Sequence, residues 1–136
     1  TTIQNKGSDS TMRPQQIIEV LRRFSFRCAL TDSTDYHIEH FLPQSKGGET
    51  EVTNVYPLDA TLNVKKGKQN PFIFFEREDI RSQLIEGRFE ELVLWFAILN
   101  DMSIEEFRKY TFEQYEKFEK GNDCVQRNLP YEGKYV

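Results

Sequence analysis

Both histidines of the 136-residue chain fall within one six-residue string, Tyr36-His37-Ile38-Glu39-His40-Phe41, and Pro43, Gly47 and Gly48 follow closely. An extended run sends successive side chains to opposite faces, so His37 and Glu39 share a face while Glu39 and His40 converge only where the strand ends. Pro43 cannot donate to a ladder, and Ser45-Lys46-Gly47-Gly48 is built to bend. A fold of this chain therefore has to bring a short strand to its end beside a tight loop, with two imidazoles and a carboxylate at the turning point.

The rest of the pattern supplies elements to surround it. Pro14 suits a helix first turn, and Ile17, Ile18, Leu21 and Phe24 recur at helical spacing. Phe26–Leu30 reads as a strand, and Thr31-Asp32-Ser33-Thr34 as a turn into a second strand, Asp35–Phe41, giving an expected β-hairpin. Asn54–Lys66 reads as helical with an interruption near Pro57, closed by Gly67 and Pro71. Beyond it, Leu84, Ile85, Phe89, Leu92, Val93, Phe96 and Leu99 are expected on one face of a long helix. Ser103 and Glu106 form a capping box ahead of another helix, with Ile104, Phe107, Tyr115 and Phe118 inward. Residues 1–12 and the chain from Gly121 onward carry no strong period.

Charge is distributed unevenly. Residues 1–70 hold nine Lys and Arg against eight Asp and Glu, whereas residues 71–136 hold nine against fourteen, within a net charge of −4. Phosphate binding depends on local charge, so the acidic second half weakens a nucleic-acid role without removing it. Eight of the eleven phenylalanines lie beyond residue 70, so core packing of a helical hairpin is the expected use of that half. Cys28 and Cys124 are too far apart in sequence for a zinc-site spacing and read as free thiols. No apolar run reaches membrane-spanning length and no secretory signal pattern opens the chain, so no membrane role and a cytoplasmic location are expected.

Hydrolysis of a phosphodiester needs a base titrating near neutrality, which histidine supplies, together with a cation and oxygen ligands to hold it. Glu39 offers a carboxylate, Asn63 an amide carbonyl from the following helix, and His40 a base next to Glu39.

The string 36–48, with Asn54 and the run Asn63-Val64-Lys65-Lys66-Gly67-Lys68-Gln69-Asn70-Pro71, resembles the HNH endonuclease motif. That pattern is an acid–His pair, then Pro-x-Ser-x-Gly-Gly, a central Asn, and a His or Asn in a helix followed by Lys and Gly. The spacings of 14 from His40 to Asn54 and 9 from Asn54 to Asn63 are similar to those of the HNH domain of RNA-guided CRISPR nucleases and of stand-alone phage HNH proteins. The resemblance covers about a quarter of the chain. It implies a ββα-metal core over 24–71, and, with the residue pattern around it, a lead-in and helix over 1–23 and an acidic helical extension over 72–136 packed on the core, the expected fold is α+β. It implies metal-dependent hydrolysis of double-stranded DNA, with His40 as general base and Glu39 and Asn63 as metal ligands. Asn54 would hold the loop carrying His40.

Three departures shape those expectations. Glu39 replaces the usual Asp. Asn63 replaces the usual His, which favours Mg²⁺ or Mn²⁺ over softer metals. Cys28-Ala29-Leu30-Thr31 keeps only the first cysteine of a Cys-x-x-Cys pair, so no structural zinc is expected. His37 is open between a third metal ligand and a polar residue on a hairpin surface. Lys46, Lys65, Lys66 and Lys68 are expected to hold DNA phosphates, although lysines at a helix end also suit its dipole. Arg22, Arg23 and Arg27 are weaker candidates of the same kind. A homodimer or a protein partner through residues 72–136 is the second use open to that half, beside core packing. The alternative from another class is a catalytically silent adaptor acting through the acidic half.

Overall fold

The computed structural model describes residues 12–122. Its fold is mixed α and β. Helix α1 (Pro14–Arg23) leads to strand β1 (Tyr36–His40), a short 3₁₀ turn (Gln44–Lys46) and strand β2 (Val55–Asp59). Helix α2 (Ala60–Lys66) follows directly, then α3 (Pro71–Phe75), α4 (Glu78–Arg81), α5 (Arg88–Leu99) and α6 (Ile104–Asn122). The expectations on residues 1–11, on Cys124 and on the chain beyond residue 122 lie outside the described residues.

The hairpin is not where the sequence pattern placed it. β1 pairs antiparallel with β2, Tyr36 opposite Asp59 and His40 opposite Val55, so 55–59 is strand rather than helix. Phe26–Leu30 is not a strand. Ser25, Phe26 and Asp32 have φ of 59°, 56° and 69°, which breaks any extended run. The segment is apolar because Cys28, Ala29 and Leu30 are buried, not because they pair in a ladder. It touches β2 through one bond, Ala29 N donating to Pro57 O at 2.9 Å. That bond also explains why a proline sits in mid-strand. In an antiparallel ladder one residue's N and O point the same way, so Pro57, whose O faces outward to Ala29, lacks an N–H only where β1 needs none.

Asp59 ends the strand and starts the helix: its Oδ2 accepts from Thr61 N and Leu62 N at 3.0 and 3.1 Å. Pro71 opens α3 instead of closing a segment, because Asn70 Oδ1 caps Phe72 N at 2.9 Å. The long helix expected from Leu84 begins only at Arg88, after Gly87 takes φ 85°. The Ser103–Glu106 capping box forms as expected, with reciprocal bonds of 2.8 and 3.0 Å. Ile104, expected inward, is exposed, while Phe107 and Tyr115 are buried.

One apolar core joins the two parts of the chain. Phe41, at the end of β1, is wholly buried and has ring centroids at 6.2 Å from Tyr56, 5.7 Å from Phe72, and 5.3 Å from both Phe96 and Phe107. The strand that carries the histidines is therefore anchored by helices α3, α5 and α6. Among the described residues no helix is long and apolar enough to cross a membrane.

Candidate functional site

The strand–loop–strand–helix unit of β1, β2 and α2 brings four polar side chains together. His37 and Glu39 lie on one face of β1 by alternation. Asn63 and Lys66, three apart on α2, lie on the helix face that meets them. Asn63 Nδ2 donates to His37 Nδ1 at 3.1 Å, which leaves the Asn63 carbonyl oxygen for another partner. Lys66 Nζ donates to Glu39 Oε2 at 3.0 Å.

Lys66 departs most from expectation. Its side chain is 0% exposed and that of Glu39 16%, so it is an interior cation and not one of the surface lysines facing phosphate. Lys65 and Lys68 are exposed as expected, and Lys46 is half-buried, with Nζ 5.5 Å from the centre of the Tyr115 ring. Burial raises the pKa of Glu39 above its ordinary value, against the opposing pull of the Lys66 ammonium.

His40 sits on the other side of the strand end, half-buried. Its Nε2 lies 2.9 Å from Thr50 Oγ1, which also accepts from Gln44 Nε2 at 3.1 Å. Burial, reinforced by the Lys66 charge, lowers the pKa of His40. The neutral imidazole is accordingly the favoured form at pH 7. The Glu39 carboxylate also feels the backbone N–H of His40, and both side chains feel the Lys66 ammonium.

Asn54 closes the loop between them. Its Oδ1 accepts from Leu42 N at 2.9 Å, and its Nδ2 donates to Leu42 O at 3.0 Å and to Glu49 O at 2.9 Å. One amide thus ties the chain just after His40 to the far side of the loop. Gly48 is required beneath it: a Cβ there would stand 1.7 Å from Leu42 O and 2.9 Å from Asn54 Nδ2. Replacing Asn54 with alanine leaves backbone groups of Leu42 and Glu49 without these partners. We expect a loss of about 1–3 kcal/mol of stability, read by urea denaturation. A loss within error of zero would show that the loop does not depend on the amide.

The helical half braces the same loop. Gln114 Nε2 donates to Lys46 O at 3.3 Å, Asn100 Nδ2 to Thr53 O at 3.1 Å, and Tyr115 Oη to Gln69 O at 3.0 Å beyond α2. Thr50, Gln44 and the interior role of Lys66 were missed from sequence. Only Lys66 carried a signal, its i+3 spacing from Asn63 on one helix.

With its Nδ1 taken by Asn63, His37 carries its ring proton on Nε2, so the donors left for a hard divalent cation are the oxygens of the Glu39 carboxylate and the Asn63 amide. Among the described residues no group of three or more His, Cys, Asp or Glu is arranged to hold a metal, so such a site depends on the asparagine amide. Cys28 is buried and free, its Sγ accepting from Leu30 N at 3.3 Å. No family model matches the chain, and neither a curated protein nor a solved structure does.

Proposed function

We propose that the protein is a metal-dependent DNA endonuclease of the HNH type, hydrolysing phosphodiester bonds at the site formed by β1, its loop and α2, and that these elements are its ββα-metal core. The observation that supports this best is the Asn54 clamp, whose three bonds hold the backbone on both sides of the loop next to His40. A structural asparagine at that spacing is what an HNH site needs to fix its base.

His40, its Nε2 held against Thr50, would serve as the base, taking a proton from the attacking water at Nδ1 in the tautomer whose proton sits on Nε2. The water oxygen forms the new bond to phosphorus as the bond to the leaving oxygen breaks. Glu39 and Asn63 would hold a divalent ion, Mg²⁺ or Mn²⁺, whose charge offsets what accumulates on the phosphate and the leaving oxygen, and His37 would join them only by giving up its bond from Asn63. Lys65 and Lys68, exposed at the end of α2, would take neighbouring phosphates of the duplex.

The test is incubation with supercoiled plasmid and Mg²⁺ or Mn²⁺, resolved on agarose. Conversion to nicked or linear DNA, abolished by chelation, is the expected result. Intact plasmid with both metals over a range of salt would remove the assignment.

A further inference from the structure

The interior lysine invites an inference that rests on the nuclease assignment and deepens it. α2 sets Asn63 and Lys66 one turn apart on the face toward β1, so an ammonium reaches the very carboxylate that would hold the metal. Its neighbours Lys65 and Lys68 are exposed, whereas Lys66 has no exposed surface. An interior ion pair is seldom needed for stability, since apolar replacements of similar volume are often neutral or better. The lysine ammonium is a compact point charge on a flexible stem, and so resembles a small cation more than a guanidinium does.

We propose that Lys66 is the resident cation of this site, and that its ammonium competes with the divalent ion for the Glu39 carboxylate and so sets how tightly the metal binds. The distances make the competition direct. The ammonium is 3.0 Å from Glu39 Oε2. A Mg²⁺ ion on that same oxygen stands at about 2.1 Å from it, which keeps the two cations within about 5 Å of each other. Like charges at that separation repel strongly in a partly dry environment. Metal loading therefore works against Lys66, or moves it.

The experiment measures Mn²⁺ binding to the full chain without DNA, at one fixed pH, by electron paramagnetic resonance. The proteins are the wild type, Lys66→Met, Glu39→Gln and the double variant. Lys66→Met is expected to bind Mn²⁺ at least tenfold more tightly than the wild type, and Glu39→Gln to abolish that gain. Binding by Lys66→Met that equals or falls below a Glu39-dependent wild-type affinity overturns the role of Lys66 and leaves the nuclease assignment standing. Binding that ignores Glu39 in every protein overturns both. Should Lys66→Met fail to fold, nuclear magnetic resonance of the wild-type lysine ammonium groups decides. The buried Lys66 signal is expected to shift or broaden on adding Mg²⁺, and an unchanged signal at saturating Mg²⁺ overturns the proposal.

Discussion

Replacing His40 with alanine is expected to reduce plasmid cleavage by about 10²–10⁴-fold, the range that a positioned general base contributes. Little of that loss should come from unfolding. The ring's one direct polar contact described above is with Thr50, and Thr50 keeps its bond from Gln44. Stability should therefore fall by no more than about 1 kcal/mol, the usual worth of a single hydrogen bond. The measurement pairs initial cleavage rates with a urea melt on the same preparations. Cleavage by His40→Ala at the wild-type rate would refute His40 as the base. A rate loss matched by collapse of the melt would refute the separation of its chemical from its structural role.

Phe41→Ala is expected to cost about 3–5 kcal/mol, the usual range for emptying a buried aromatic site. The reason lies in where the ring sits, one residue past His40 and packed on aromatic rings from β2, α3, α5 and α6. Loss of the ring loosens the strand end and the helical half together. Trp95, the sole tryptophan, lies on α5, so its fluorescence reports on that half. Urea unfolding followed by fluorescence and by far-ultraviolet circular dichroism should shift to lower denaturant and stay coincident. Two separated transitions would mean that the helices fold independently of the site, contrary to a shared core.

Much of the site was legible in the sequence because its residues are tied to short-range rules. His37 and Glu39 share a face through strand alternation, and Asn54 needs only a loop of fixed length to reach Leu42. Proline at 43 and glycines at 47 and 48 announced the turn. Secondary structure was read less well where tertiary contacts decided it. Pro57 looked like an interruption in a helix because its tolerance in a strand depends on which way its carbonyl faces, and Ala29 settles that from elsewhere in the chain. The apolar run 26–30 looked like a strand because burial and pairing leave the same composition. Lys66 looked like Lys65 and Lys68 because all that set it apart in the sequence was its i+3 spacing from Asn63. The helical half also bonds to Lys46, Thr53 and Gln69, contacts that no local pattern in the sequence shows.

Two adjacent residues of α6 reach both ends of the unit that carries the candidate site: Gln114 grips the loop that precedes β2, and Tyr115 grips the chain that leaves α2. Because neighbours on a helix are set about 100° apart, a single rigid turn works like a caliper, fixing the opening between loop and helix by its own diameter. The opening of the candidate site is then gauged by a segment that contributes none of its polar side chains. Its width follows the rotational setting of α6, and that setting is held in turn by the capping box at Ser103 and by Phe107 in the core.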